Sequence, residues 1–165
     1  MQSQKVLFIT DKLEHYRIPL FNLIANNVDL TIAHSSKHQE NTLFKQQQLE
    51  IQNKGPFTYY KAPNLSQFDV VIYPFNVRSL NLFYESLRKS TYKKGLFGIG
   101  VSASYTKFYD QRSILDYLRI FYLKKFDFVI FYENYPLIKY KALGIPSSKM
   151  SVAYNTVAEN PDFDI

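Results

Sequence analysis

Phe126-Asp-Phe-Val-Ile-Phe-Tyr-Glu-Asn-Tyr-Pro-Leu-Ile-Lys-Tyr-Lys-Ala-Leu-Gly-Ile-Pro-Ser-Ser-Lys-Met-Ser-Val-Ala-Tyr-Asn-Thr-Val157 decides the fold class. The apolar run Phe126–Tyr132 reads as a strand, and a helix follows from about Tyr135 to Leu143, entered past Asn134 and Pro136. Gly144 is placed for a left-handed helix cap, and Pro146 blocks continuation. A second strand, Met150–Tyr154, closes the unit. Strand, capped helix and strand is the repeat of a parallel α/β sheet.

Upstream the same alternation recurs. Strands are expected near Lys5–Thr10, Leu30–Ala33, Asp69–Tyr73 and Gly95–Ile99, several of them unbroken apolar runs, as strands buried on both faces are. Between them, Ile18–Asn26 is helical with Pro19 in its first turn, where the missing N–H costs little. Leu80, Phe83, Tyr84 and Leu87 predict a second helix with one apolar stripe, and Ile114, Leu118, Phe121 and Tyr122 a third. Ser35–Asn64 is rich in Gln, Asn and Lys, with short strands expected near Leu49–Asn53 and Phe57–Lys61. The expected architecture is a doubly wound, mostly parallel, Rossmann-like sheet at the centre of a three-layer sandwich.

Composition narrows the chemistry. The chain has 165 residues and 46% hydrophobic content, enough for one domain with a substantial core. Fourteen Tyr and fourteen Phe are expected mainly in packing. Without cysteine there is no disulfide framework, thiolate nucleophile or Cys-ligated metal. The chain opens on Met1-Gln-Ser-Gln-Lys5 and passes directly into Val6-Leu-Phe-Ile9, without the pattern of a secretory leader, so a cytoplasmic location is expected. No apolar run approaches the length of a membrane span. A net charge of +6 favours an anionic partner. Its groups Arg88-Lys89, Lys93-Lys94, Lys124-Lys125 and Lys139 with Lys141 read as solvated helix ends.

In open α/β sheets ligands bind beyond the carboxyl ends of the strands, which directs attention to the strand-to-helix loops. In the first, His15, Tyr16 and Arg17 set an imidazole, a phenol and a planar cation side by side. In the second, Gly95-Leu-Phe-Gly-Ile-Gly-Val-Ser102 holds three of the chain's five glycines, so Gly98 and Gly100 mark either a close ligand approach or a packing bend, and Ser102 offers a hydroxyl at the same edge. In the third, Glu133 either holds a sugar hydroxyl or caps a helix. Asp11 reads as a solvated turn residue. Neither G-x-G-x-x-G after the first strand nor G-x-x-x-x-G-K-[ST] occurs, so no tightly bound dinucleotide or P-loop nucleotide is expected. His15, His34 and His38 lack metal-ligand spacing on a readable helix, and no metal is expected.

Lys5-Val-Leu-Phe-Ile-Thr-Asp11, His15-Tyr-Arg-Ile-Pro-Leu-Phe21 and the closing Leu143–Val157 resemble the N-terminal domain of family 4 glycosyltransferases of the GT-B fold. The resemblance covers essentially the whole chain; its most specific part is the Gly-x-Pro-x-x-Lys turn followed by a strand and Asn. It implies a retaining transfer of a sugar from a nucleotide-sugar to a glycan or lipid-linked acceptor, in polysaccharide biosynthesis. The acceptor would lie on this domain against His15, Tyr16, Arg17, Gly98, Gly100, Ser102 and Glu133. The donor would lie mainly on a C-terminal domain with an E-x7-E signature, absent from this chain, which alone would be inactive. Asn155 would mark the domain junction. A lipid-linked acceptor and a basic surface would also fit peripheral contact with the inner membrane face. Where such enzymes often have Gly-His-Gly, this chain has Gly98-Ile99-Gly100, so catalytic residues stay unassigned. The alternative is a non-catalytic α/β module for an anionic ligand or nucleic acid, which the charge supports but no RNA-binding signature does. A receiver-like domain would want clustered acidic residues after the first strand, where only Asp11 stands.

Overall fold

The computed structural model describes residues 3–102, 110 and 114–154. Seven parallel strands form one sheet: β1 (Lys5–Ile9), β2 (Asp29–His34), β3 (Lys45–Gln48), β6 (Val70–Pro74), β7 (Lys93–Gly98), β8 (Phe128–Phe131) and β9 (Met150–Val152). Their order is β3-β2-β1-β6-β7-β8-β9, and β4 (Ile51–Lys54) pairs antiparallel with β5 (Phe57–Tyr60) as a separate hairpin. Among the described residues, four α-helices connect them: α1 (Ile18–Ala25), α2 (Leu80–Leu87), α3 (Leu115–Lys125) and α4 (Asn134–Ala142). The fold is α/β and Rossmann-like, as the alternation of elements implied. None of the described helices is long and apolar enough to cross a membrane.

Two apolar layers hold the helices to the sheet. Beneath α1, Phe21 meets Phe8 edge-on at 5.1 Å, and the cluster extends through Val6, Leu30, Ile32 and Val70. On the other face a larger cluster joins Leu7, Ile9, Val71, Leu96 and Val129 to Tyr122, Phe126 and Tyr140. Register explains one glycine. Phe8 pairs with Ile72, Ile72 with Gly95 and Gly95 with Phe128, so the Phe128 ring lies where a Gly95 side chain would stand. Its absence lets an aromatic ring cover the strand.

The end of α4 follows its sequence signals. Ile145 N–H donates to Tyr140 O and Gly144 N–H to Lys141 O, each at 3.0 Å, the Schellman pattern, with Gly144 at φ +83°. Pro19 lies in the first turn of α1, as expected. The 45–48 strand was not anticipated: Lys-Gln-Gln-Gln has no apolar alternation, because an edge strand needs only backbone pairing with β2.

Helix α2 reverses the expected stripe. Phe83, Tyr84 and Leu87 are 44%, 58% and 63% exposed, whereas Asn81, Leu82, Glu85 and Ser86 are buried. The reason is polar. The β4–β5 hairpin approaches α2, and Asn81 donates from Nδ2 to Tyr60 O at 2.8 Å while its Oδ1 accepts from Tyr60 N at 2.9 Å. Glu85 accepts from the Tyr92 hydroxyl at 2.7 Å. Leaving these buried groups unmatched would cost more than exposing three apolar side chains that keep partial contacts. In α3 Tyr122 and Leu123 are buried together with Arg119, and Leu118 and Phe121 pack half-buried against the same core as expected, while Ile114 lies just outside the helix and is exposed.

Candidate functional site at the carboxyl edge

The strand order reverses between β1 and β6, whose chains lead away to opposite sides of the sheet. Loops at such a reversal diverge and leave a crevice. The β1–α1 loop crosses it. After Thr10, whose N–H donates to Ala33 O, Ser35 N–H donates to Asp11 O and Leu13 N–H to Ser36 Oγ, at 3.0 and 2.8 Å. The tie continues into His34, whose ring lies 3.2 Å from Ser36 Oγ through Nδ1 and 3.1 Å from Gln46 Oε1 through Nε2. Both nitrogens are occupied by protein. Burial lowers the His34 pKa, with Ser36 and Gln46 opposing the shift and His38 adding to it. Asp11 is exposed at the strand end, and desolvation on its protein side raises its carboxyl.

The loop then forms a single 3-10 turn, His15–Arg17, leading into α1. His15 and Tyr16 are exposed, with their rings edge to face at 5.9 Å. Arg17 turns inward. Its guanidinium carbon lies 5.6 Å from the Tyr16 ring centre, 5.8 Å from Phe97 and 5.6 Å from Tyr132, and Nη2 donates to the Tyr132 hydroxyl at 3.4 Å. Phe97 and Tyr132 meet edge-on at 4.7 Å. The first loop, the end of β7 and the residue after β8 thus meet around one planar cation. The β7 and β8 aromatics were not among the sequence candidates, because only the strand order brings their ends to the first loop.

The remaining candidates divide. Glu133 precedes α4 as its cap residue, but its side chain makes no cap hydrogen bond, so the helix-capping role is not the one it performs. It follows Tyr132 directly and lies beside the Arg17 cluster in the chain. Gly98 and Gly100 stand at the end of β7, where packing accounts for both: a Cβ at Gly98 would sit 3.1 Å from Phe75 Cβ, and at Gly100 2.5 Å from the Phe131 ring. Gly100 also has φ +78°, and its carbonyl accepts from the Tyr140 hydroxyl at 2.6 Å. Ser102 belongs to a separate ionic network. Arg119 donates to Ser102 Oγ at 3.1 Å and to Asp116 at 2.6 Å, and Asp110 accepts from Lys139 and from the Tyr135 hydroxyl. Lys139 and Tyr135 together hold the Asp110 carboxyl below its ordinary value, against the opposing effect of desolvation. Asn155 lies outside the described residues. Among the described residues no group of three His, Asp or Glu is placed to hold a metal ion.

No protein-family model matches the chain, and no curated protein sequence does. Solved structures share its fold. Anabaena HepE, crystallised with UDP and glucose, superposes with a TM-score of 0.55 at 12% identity, over 93% of this chain and 45% of that one. HepE with UDP superposes with a TM-score of 0.54 at 11% identity, over 93% and 44%. The chain therefore spans less than half of HepE, and what the two share is the Rossmann-like fold.

Proposed function

We propose that this chain is the acceptor-binding domain of a retaining glycosyltransferase, which transfers a sugar from a nucleotide-sugar to a glycan or lipid-linked acceptor. The observation that carries the reading is the convergence of the β1–α1 loop and the ends of β7 and β8 on Arg17 at the carboxyl edge. A hydroxyl-rich acceptor needs aromatic surface for its sugar faces together with fixed hydrogen-bond donors and acceptors at its rim. Tyr16 and Tyr132 supply the first; the Arg17 fork, His15 and the Glu133 carboxylate supply the second. The nucleotide-sugar would be held mainly by a second domain facing this edge. The reading is supported by the shared fold with HepE, a protein solved with UDP and glucose, of which this chain spans less than half.

In the reaction so proposed, this domain orients an acceptor hydroxyl and excludes water as the facing domain closes, both effects of positioning. Where the glycosyltransferases it resembles often carry an imidazole, this chain has Ile99, whose side chain has no proton to transfer.

The test is a titration of isotope-labelled chain, followed by amide shifts, with UDP-glucose and with a panel of glycans and lipid-linked sugars. Acceptor-class ligands should move the amides of Tyr16, Arg17, Gly98 and Glu133, and UDP-glucose should move them weakly. Tight UDP-glucose binding at these same amides, with every acceptor silent, would reverse the assignment.

A further inference from the structure

The opposite edge of the sheet carries a second feature. In a parallel α/β fold each helix returns the chain to the amino edge, so helix C-termini and strand starts share it. Cations that suit helix C-termini are therefore gathered there. Lys94 shows the arrangement most clearly: it is buried, and its ammonium donates to Glu85 O at 2.6 Å and to Arg88 O at 2.8 Å, closing the end of α2. Beside it, a basin of about 1000 Å³ opens between the start of β1, the α2–β7 connection and the α3–β8 turn. Lys5, Arg88, Lys89, Lys93 and Lys125 line it, all exposed.

The basin holds six cationic side chains, Lys94 included, against two carboxylates. Asp69 accepts from the Lys5 backbone N–H at 2.8 Å and Asp127 from the Lys94 backbone N–H at 2.7 Å, and Arg88 pairs with Glu85 at 3.7 Å, so the cations remain in excess. Lys5, Lys89 and Lys93 make no ion pair among the described residues. Like charges crowded round a concavity repel one another and focus a positive field into it, a cost that a bound polyanion relieves. Helix-end complementarity accounts for Lys94 and Lys125, but not for Lys5 or Lys93, which stand on strand starts.

We propose that this basin is a binding site for a linear oligophosphate, an anion of three or more phosphoryl groups, distinct from the carboxyl-edge site and independent of the acceptor. Concavity favours that occupant over a flat bilayer. Placement does too, because the cations that line it come from three separated chain segments, Lys5, residues 88–94 and Lys125, brought together at one concavity. Exposed Thr91 adds a hydroxyl at the rim.

Inorganic tripolyphosphate is the probe, titrated calorimetrically into the purified chain. Expected is saturable, one-to-one binding that weakens with added salt. The variant Lys89→Gln/Lys93→Gln/Lys125→Gln should weaken it by roughly tenfold or more, equivalent to at least ~1.4 kcal/mol. A control losing the same charge elsewhere, Lys37→Gln/Lys54→Gln/Lys61→Gln, should bind as the parent does. All six positions are exposed, and matching circular dichroism melts will establish that both variants fold. Equal loss in the two variants would overturn the proposal by showing a general charge effect. It would also be overturned if phosphatidylglycerol vesicles or single-stranded RNA bound while tripolyphosphate did not.

Discussion

Arg17 reaches Tyr132 across 115 residues of sequence and joins the first loop of the sheet to the end of its sixth parallel strand. The guanidinium is held by ring faces and one hydroxyl, an arrangement that fixes its plane. Arg17→Ala should weaken acceptor binding by roughly tenfold, the scale of one charge-assisted hydrogen bond. Arg17→Lys should recover only part of that, because an ammonium has no planar fork. The measurement is acceptor Kd on the chain, or acceptor KM in an enzyme joining it to its donor half. An unchanged value with Arg17→Ala would remove the residue from the site.

Asn81 substitutes for a neighbouring strand. With its amide satisfying both backbone groups of Tyr60, replacement by Leu strands a buried donor and a buried acceptor. Asn81→Leu should destabilise the chain by about 2–4 kcal/mol despite its better apolar match to the helix. Urea unfolding with an unchanged slope would measure it. A stabilised variant would mean that α2 docks by apolar contact after all.

His34 makes stability depend on pH. The folded state favours neutral imidazole, so the unfolded chain binds the proton more readily. This contribution is complete above the ordinary value of about 6.5 and declines as pH falls below it toward the lowered folded value. Protonation also removes the acceptor that Ser36 meets, loosening the tie to Leu13. The stability difference between the parent and His34→Gln should therefore shrink on acidification. A difference that stays constant through this window would show that His34 does not titrate differently on folding.

Gly100 and Gly144 separate backbone strain from crowding. Both have positive φ, but a Cβ at Gly144 meets nothing within 4 Å, whereas one at Gly100 meets the Phe131 ring at 2.5 Å. Gly144→Ala should cost about 1–2 kcal/mol, the left-handed penalty alone. Gly100→Ala should add about 1–3 kcal/mol of overpacking. Thermal melts of the two variants make the comparison, and equal losses would mean that Phe131 yields without cost.

Helix α2 shows where reading by periodicity stops. Leu80, Phe83, Tyr84 and Leu87 satisfy the spacing rule, yet the buried side joins Leu82 to Asn81 and Glu85, because their partners Tyr60 and Tyr92 arrive from other segments. Periodicity registers apolar side chains and is blind to polar groups that pair over distance. β3 escaped for a related reason, since an edge strand of Lys and Gln is defined by its neighbour. Gly98 and Gly100 were legible as special positions, but Phe75 and Phe131 had to be placed before their packing role could be seen.

Local chemistry was enough to determine the alternation of strands and helices, the Pro19 entry to α1 and the Gly144 exit from α4, since each depends on residues within a turn or two. Tertiary structure alone decided which residues share a site. Parallel strands ordered around a reversal bring Arg17, Phe97 and Tyr132 to one edge. The same topology returns every helix to the other edge, so Arg88-Lys89, Lys93-Lys94 and Lys125, which read separately as solvated ends, become one basin. Their proximity depends on strand order, which no stretch of the chain encodes locally.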